Sequence, residues 1–174
     1  ATTEMSVLTE VQNLRDALQF ARALPFVNTG RLYLMGSSQG GFVSALLAQE
    51  VANLAGVFLL YPAFSLPDDI RSSFPSLEAA PETFNLLGTN ISKKYLEDVY
   101  PIDAYEGLGK IGAPVHIYHG TDDFIVPITA SKKAVKTLKD ARLTTLDETG
   151  HSLTSEQQAQ IGAEIADEIF NGME

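Results

Sequence analysis

The most reactive arrangement in the sequence is Gly-Ser-Ser-Gln-Gly-Gly at residues 36–41, which follows the apolar run 31–35 and precedes an apolar helical pattern at 42–51. A serine at such a strand-to-helix turn points its hydroxyl out of the strand end, and glycines leave room for the strained backbone. The first turn of the helix directs free N–H groups toward the same point. The spacing therefore predicts that Ser38 is a nucleophile.

A serine hydroxyl becomes an effective nucleophile only beside a base that a carboxylate holds in the right tautomer. The sequence supplies both partners in order. Two aspartates follow the predicted strand 115–118, and His151 lies in the loop 147–152 after the predicted strand 142–146. Because the carboxyl ends of parallel strands share one edge of a sheet, we expect Ser38, an aspartate and His151 to converge there.

These residues can also be interpreted as having no catalytic role. A glycine-rich turn whose serine caps a helix would match the motif at Ser38 alone, but the downstream acid and histidine favour the nucleophile. His116 and His119 lie on a predicted strand and at its end, which is more typical of structural histidines. The sequence contains no metal-ligand spacing and no phosphate-binding glycine loop, so it predicts no cofactor.

The elements that must position these groups alternate along the chain. Apolar residues recur at helical spacing from Val7 to Ala21, and a capping box at 155–158 begins the closing helix. This alternation predicts an α/β fold with a mostly parallel, four-stranded sheet, in which the first two strands are buried on both faces. The predicted strands are 31–35, 56–60, 115–118 and 142–146, and the predicted helices between them include 40–51 and 127–138.

Regular patterning is lost between residues 63 and 101, where Pro, Ser and Asp mix with aromatic residues. A flexible linker would be poor in large apolar groups, whereas these aromatics can pack over a neighbouring surface. We therefore expect residues 1–174 to form a single domain in which 63–101 is an inserted cap. Packing is a more common role than ligand contact for its aromatics, which are Phe64, Phe74, Phe84, Tyr95 and Tyr100.

The composition is typical of one globular domain: 174 residues, 45% of them hydrophobic. Twelve Lys and Arg against 22 Asp and Glu give a net charge of -10, which disfavours binding to nucleic acids and to anionic membranes. The absence of cysteine excludes disulfides and thiolate metal sites. The sequence has no signal-peptide pattern and no long apolar span, so a cytoplasmic location is the default expectation.

Together these motifs resemble the α/β-hydrolase superfamily, whose serine, acid and histidine follow one another in this order. The segments 5–8, 36–41 and 119–123 are similar to those of bacterial feruloyl and cinnamoyl esterases, whose inserted cap leaves the sheet after a strand that ends like residues 60–63. The resemblance implies a serine esterase that hydrolyses carboxylic esters. Hydroxycinnamate or other aryl esters would be its small-molecule substrates.

The resemblance also assigns the catalytic roles. Ser38 would attack the ester, His151 would shuttle the proton, and Asp123 would orient His151. Asp123 is preferred to Asp122 because the family places the acid three residues before the valine of this turn, which is Val126 here. Asp122 is then interpreted as a solvated turn residue.

Two substrate-contacting groups follow from the same resemblance. The backbone N–H of Gln39, the residue after the nucleophile, would donate to the oxyanion. Asp69 falls where some of these esterases hold an acid that contacts the phenolic hydroxyl of the substrate. The residues around Asp69 match that pattern less well than the other motifs match theirs.

The early strands of the family's sheet, and the loop that completes its oxyanion hole, have no counterpart before Met5. By the resemblance, the chain corresponds to the C-terminal part of the family's fold, which leaves the strand 31–35 with an unpaired apolar edge. Such an edge promotes association. We therefore expect the missing N-terminal part, or a second copy of this chain, to cover it.

Other functions are consistent with the same motifs. An acyl-peptide or prolyl-type peptidase, a thioesterase or a lactone hydrolase would share this fold, because the acyl pocket depends on the cap and on the early loops. Another class is a non-catalytic fragment or pseudoenzyme that serves in assembly or binding. Reaction with a fluorophosphonate would separate the enzymes from that module, since only an activated Ser38 reacts.

Overall fold

The computed structural model describes residues 5–86 and 88–171 of the chain. Its strands are β1 (Tyr33–Ser37), β2 (Gly56–Leu60), β3 (Thr83–Leu86), β4 (Thr89–Ser92), β5 (Val115–Gly120) and β6 (Ala141–Leu146). Its helices are α1 (Val7–Ala23), α2 (Ser38–Ala48), α3 (Leu66–Ser73), α4 (Lys93–Val99), α5 (Ile128–Thr137) and α6 (Ser155–Asn171), with a short 3-10 helix at Leu108–Lys110.

The main sheet has the strand order β1-β2-β5-β6, and each neighbouring pair in it is parallel. In the register, Met35 of β1 lies opposite Phe58 of β2, and Leu59 of β2 lies opposite Ile117 of β5. The remaining strands, β3 and β4, form a separate antiparallel ribbon. This topology confirms the predicted α/β class, and it places the carboxyl ends of the four parallel strands along one edge of the sheet.

The central strands β2 and β5 are buried along their whole lengths. Their side chains alternate between two apolar clusters, as expected for strands covered on both faces. Phe58 belongs to the cluster that contains Ile161 of α6, whereas Leu59 and Ile117 belong to the larger cluster around Phe42 of α2. The elements that carry the site are therefore anchored in the core on both sides of the sheet.

The first strand differs from its prediction in position and in burial. It begins at Tyr33, two residues after the predicted start, because the N–H of Arg31 donates to the carbonyl of Asn28 at 3.0 Å and so closes a turn. Met35 is 57% exposed, so the expectation that this strand is buried on both faces was wrong, although it was right for β2. The physical reason is that β1 is an edge strand: among the described residues it pairs with β2 alone.

Two helices, α1 and α6, begin where side chains cap free N–H groups. At α1, the Ser6 hydroxyl accepts from the Thr9 N–H at 3.2 Å, and Thr9 accepts from the Ser6 N–H at 2.8 Å. At α6 the capping box lies one residue before the predicted 155–158: the Thr154 N–H donates to Gln157 at 2.9 Å, and the Gln157 N–H donates to Thr154 at 3.2 Å. In the described ranges, no helix has both the length and the apolar character needed to span a bilayer.

Residues 63–101 form α3, the β3–β4 ribbon and α4. The side chains of Phe64 and Tyr95 are fully buried in the main apolar cluster, and the rings of Phe74 and Phe84 meet edge to face at 5.4 Å between centroids. The aromatics of this segment therefore pack, as their composition indicated. That the segment is an inserted cap within a single domain stays a prediction.

Candidate active site

Ser38 lies at the junction of β1 and α2, with a positive φ of 51°. This left-handed conformation is strained for a serine, and the surroundings enforce it. A Cβ at Gly36 would overlap the carbonyl group of Gly40, so only glycine permits the turn to close this tightly. The carbonyl of Ser38 also accepts from the N–H of Ala63 at 2.9 Å, which ties the turn to the chain after β2.

Asp123 occupies the turn after β5 and is only 5% exposed. Its Oδ1 accepts the backbone N–H groups of Ile125 and Val126, each at 2.9 Å. Two N–H donors stabilise the ionised carboxylate and fix its plane. The other oxygen, Oδ2, accepts no backbone N–H in this turn and faces the loop between β6 and α6.

His151, in the loop between β6 and α6, connects the acid to the serine. Its Nδ1 lies 2.8 Å from Oδ2 of Asp123, and its Nε2 lies 2.9 Å from Oγ of Ser38. Because the carboxylate can only accept, Nδ1 carries the proton, and Nε2 accepts from the serine hydroxyl. The ring of Tyr61 contacts the imidazole edge to face, with 4.8 Å between centroids. The structure thus brings together the three side chains that the sequence singled out.

The two loops that carry the acid and the histidine pack closely on each other. The N–H of Asp122 donates to the carbonyl of Thr149 at 2.9 Å, and a Cβ at Gly120 would overlap that same carbonyl group. The Asp122 side chain is exposed, and its Oδ1 accepts a hydrogen bond from the Thr121 hydroxyl at 3.3 Å. The geometry therefore distinguishes the two neighbouring aspartates: Asp123 faces His151, and Asp122 faces solvent.

His119 lies directly behind the acid and is fully buried. Its Nε2 is 2.9 Å from the carbonyl oxygen of Val126 and 3.4 Å from Oδ2 of Asp123, while its Nδ1 is 2.7 Å from the Ser131 hydroxyl. Burial lowers the pKa of His119, so the ring is neutral at physiological pH. It donates through Nε2 and accepts through Nδ1, a structural role that its position at a strand end predicted. Its closeness to the acid was not foreseen.

Gln39 is the second residue of α2, so its backbone N–H is among those that a helix leaves without an intrahelical acceptor. It follows the nucleophile directly and lines the same cavity as Ser38. Besides a longer contact of its Nε2 with Sδ of Met5 at 4.0 Å, the Gln39 side chain makes two hydrogen bonds, with Tyr95 of α4 and Glu10 of α1. Sequence reasoning missed both partners, because they are far from the motif along the chain.

A cavity of about 450 Å³ opens at Ser38, between the end of the sheet and residues 63–101. Its wall is mainly apolar, and the exposed carboxylate of Asp69 is the charged group in its lining. The apolar lining consists of Ala63, Leu66, Ile70, Phe74, Phe84, Leu86, Ile125 and Val126. The site can therefore hold a largely apolar acyl group beside the serine hydroxyl, with a hydrogen-bond acceptor at its rim.

His116, the remaining histidine, belongs to a different cluster on the α6 side of the sheet. Its Nδ1 lies 2.9 Å from Glu168 and its Nε2 lies 2.7 Å from the Thr144 hydroxyl, while Arg142 also pairs with Glu168. Burial lowers the pKa of His116, although the Glu168 carboxylate opposes that shift. These contacts are consistent with the structural role that the sequence indicated.

Known proteins match this chain in sequence pattern and in fold. A model of the prolyl oligopeptidase family matches residues 7–169. Est1E from Butyrivibrio proteoclasticus is 25% identical, with a TM-score of 0.84 over 96% of this chain and 72% of its own; a second structure of Est1E, with ferulic acid bound, matches equally well over 97% and 70%. A search of the curated proteins found no match.

More distant structures support the fold alone. A monoacylglycerol lipase from Paleococcus ferrophilus is 20% identical, with a TM-score of 0.69 over 96% of this chain and 76% of its own. The α/β hydrolase GrgF from Penicillium sp. sh18 is 16% identical, with a TM-score of 0.80 over 97% and 73%. With the family match covering nearly the whole sequence, these findings confirm the fold and the resemblance that the motifs indicated. The chain is an α/β hydrolase that belongs to the prolyl oligopeptidase family.

Proposed function

We propose that the protein is a serine carboxylesterase that cleaves aryl esters, of the hydroxycinnamate type, through an acyl-enzyme intermediate. The observation that carries this proposal is the hydrogen-bonded chain from Ser38 through His151 to Asp123, with distances of 2.9 and 2.8 Å. A serine hydroxyl bonded to a neutral imidazole, which a buried carboxylate orients, is the arrangement that activates serine for acyl transfer.

The reaction follows from that geometry. Ser38 Oγ attacks the ester carbonyl while its proton moves to Nε2 of His151, and Asp123 stabilises the imidazolium that forms. The tetrahedral intermediate collapses by breaking the bond to the alcohol oxygen, which takes the proton from His151. Water then attacks the acyl-enzyme with the same histidine as base, and this step releases the acid and restores the serine.

The choice of substrate rests on the cavity and on the relative. Est1E has been solved with ferulic acid bound, and the cavity beside Ser38 has an apolar wall of the kind that holds an aromatic ring. Asp69, at the rim of this cavity, would accept a hydrogen bond from a phenolic hydroxyl. Phenolic acyl groups are therefore the substrate class that this lining favours.

The oxyanion needs more than one donor, and Gln39 would supply the first through its backbone N–H. We propose that the second comes from the polypeptide that covers the free edge of β1, either an N-terminal part or another copy of the chain. A groove next to this edge, lined in part by Met35, Gly36 and Gln39, has a volume of about 440 Å³ and adjoins the nucleophile turn. A segment in that groove would lie close to the oxyanion position.

A peptidase is the second candidate, because the matching family is that of prolyl oligopeptidase. The same three side chains would cleave an amide, but amide cleavage demands stronger protonation of the leaving group by His151. Parallel assays with a p-nitrophenyl ester, methyl ferulate and an acylated prolyl p-nitroanilide discriminate the candidates. Turnover of the anilide faster than that of both esters would favour the peptidase.

The test of the proposed function uses the neighbouring serines as a matched pair. The wild-type chain should react with a fluorophosphonate, which forms an Oγ–phosphorus bond and expels fluoride, and it should hydrolyse aryl esters. Ser38→Ala should abolish both reactions, with a loss in kcat of about 10⁴-fold or more. Ser37→Ala, one residue earlier, should retain them. A wild-type chain that does not react with the fluorophosphonate would indicate a non-catalytic module. Weak ester turnover alone would not, because the second oxyanion donor comes from another polypeptide.

A further inference from the structure

The side chain of Gln39 is held at both ends by residues outside the three-residue hydrogen-bonded chain. Its Oε1 lies 2.5 Å from the hydroxyl of Tyr95, and its Nε2 lies 2.7 Å from Oε2 of Glu10. Tyr95 is fully buried, at 0% exposure. The catalytic steps described above leave both contacts unused, although they are made by the residue whose backbone N–H we propose as an oxyanion donor.

Chemistry fixes the direction of each hydrogen bond in this clamp, which consists of Glu10, Gln39 and Tyr95. A carboxylate can only accept, so the Gln39 amide nitrogen must point to Glu10 and its oxygen to Tyr95. Burial, reinforced by the Glu10 charge, raises the pKa of Tyr95, so its hydroxyl stays protonated and donates. An amide is the side chain that suits this position, since it presents a donor at one end and an acceptor at the other.

The two anchors belong to elements that are joined to each other independently of Gln39. Glu10 lies in the first turn of α1 and Tyr95 in α4. The Ser6 hydroxyl, at the start of α1, donates to Asp98 of α4 at 2.5 Å, and Lys94 pairs with the same carboxylate at 3.0 Å. The clamp therefore connects Gln39 to the joined helices α1 and α4, which lie outside the turn at residues 36–41.

We propose that Tyr95 and Glu10 are positioning residues for the oxyanion: by fixing the Gln39 side chain, they hold its backbone N–H at the point where negative charge develops. The inference rests on the proposed function. The preceding residue, Ser38, has a strained φ of 51°. The peptide that joins it to Gln39 is held on its carbonyl side by the N–H of Ala63 at 2.9 Å, and the clamp adds a second restraint through the Gln39 side chain. Because the negative charge develops in the transition state and the tetrahedral intermediate and is absent from the bound ester, the clamp acts on kcat and leaves KM unchanged.

The proposal gives Tyr95, in the segment 63–101, a role beyond packing. Removal of its hydroxyl should loosen the Gln39 amide without altering the shape of the core, since phenylalanine fills the same space. Complete loss of an oxyanion donor lowers kcat by roughly 10² to 10³-fold, so a displaced donor should lower it by about ten-fold. The hydrogen bonds of His151 are untouched, so the pH dependence of kcat should keep its midpoint.

The experiment measures kcat, KM and the pH profile with a p-nitrophenyl ester, and the rate of fluorophosphonate labelling, in a double-mutant cycle. Tyr95→Phe should lower kcat and the labelling rate by about ten-fold. In a Gln39→Met background, which has already lost both contacts, Tyr95→Phe should have no further effect. Tyr100→Phe is the matched control: its hydroxyl donates to the Pro75 carbonyl at 2.9 Å in the same segment, and kcat should stay unchanged.

The outcomes separate this inference from the proposed function. A wild-type chain without labelling or turnover would overturn both. With an active wild type, two outcomes would overturn the clamp alone. In one, Tyr95→Phe keeps the wild-type kcat; in the other, it lowers kcat by the same factor with and without Gln39→Met. If Tyr95→Phe does not fold, Glu10 decides: Glu10→Ala should lower kcat, and Glu10→Gln, whose amide oxygen still accepts from Gln39, should restore most of it. Equal kcat in those two variants would contradict the proposal.

Discussion

Nδ1 of His151 lies 2.8 Å from Oδ2 of Asp123, across 28 positions of the chain, whereas the adjacent Asp122 points to solvent. The two aspartates share a turn and a charge but not an orientation. Asp123 lies deep enough for its carboxylate to be held by two backbone N–H groups, and its free oxygen then faces the imidazole. This relationship sets the tautomer of the proposed base.

The first prediction separates the two aspartates. Asp123→Asn should lower kcat for an aryl ester by about 10⁴-fold, because an amide nitrogen facing Nδ1 of His151 would favour the wrong tautomer. Asp122→Asn removes the same charge one residue away and should stay within about two-fold of wild type. Steady-state kinetics on the two variants test this. Equal losses of kcat in both would show that the acid has been assigned to the wrong residue.

The second prediction concerns the glycines of the nucleophile turn. Gly36→Ala should destabilise the fold by about 2 kcal/mol or more, because the new Cβ would overlap the Gly40 carbonyl and force the backbone apart. Gly40→Ala introduces a methyl group into open space at a helical position and should be neutral or stabilising by up to about 1 kcal/mol. Urea denaturation provides both values; a Gly36→Ala midpoint equal to that of wild type would refute the close approach.

Some features of the site could be predicted from the sequence, and others could not. Ser38, His151 and an aspartate after β5 were predictable because nucleophilic catalysis needs those residue types, and a parallel sheet brings strand ends together. The choice of Asp123 over Asp122 came from the family resemblance. The contacts of Glu10 and Tyr95 with Gln39 were not predictable, since they join three helices through side chains whose spacing carries no periodic signal. The start of β1 and the capping box of α6 were misplaced by one or two residues because local hydrogen bonds at Asn28 and Thr154 decide them.

The third prediction is a loss of stability on mild acidification. Burial lowers the pKa of His116 and of His119, so the unfolded chain binds protons near the ordinary histidine pKa of about 6.5 while the folded chain does not. The stability that these two neutral histidines contribute is therefore fully present above that pH and decreases as the pH falls below it. The melting temperature should fall between about pH 7.5 and about pH 5.5, well above the range in which ordinary carboxylates titrate.

A variant of His116 assigns part of this slope. His116 faces Glu168, Thr144 and Arg142, and a glutamine there can donate to Glu168 without titrating. His116→Gln should therefore make the decrease in melting temperature with falling pH shallower than in wild type. A melting temperature that is constant or rises as the pH falls would contradict the lowered pKa values.

The fourth prediction addresses the substrate. Asp69→Asn should raise KM for methyl ferulate relative to methyl cinnamate, which lacks the phenolic hydroxyl, because a carboxylate is the stronger acceptor. Since Asp69 is exposed, solvent screens the interaction, and a change of about three-fold in the ratio is expected. Asp68→Asn is the control, because the neighbouring Asp68 carboxylate pairs with Arg71 at 2.6 Å. An unchanged ratio in Asp69→Asn would remove Asp69 from the substrate site.

The fifth prediction follows from the exposed edge of β1. Within the described residues this strand pairs only with β2, and Met35 in its middle is 57% exposed, so its outer N–H and C=O groups and an apolar side chain face outward. Strand edges of this kind recruit another chain unless a charge blocks them. The 174-residue chain should therefore associate in sedimentation velocity experiments, and Met35→Lys should shift it toward the monomer.

The control for that shift is Phe124→Lys, which places the same charge at a side chain that is 94% exposed but lies in the turn after β5, away from the β1 edge. If general surface hydrophobicity caused the association, Phe124→Lys would disperse the chain at least as well as Met35→Lys, because Phe124 exposes the larger apolar group. If strand pairing causes it, only the edge variant should respond. A wild-type chain that sediments as a stable monomer at high concentration would show that the edge needs no cover, and it would leave the second oxyanion donor to be sought elsewhere.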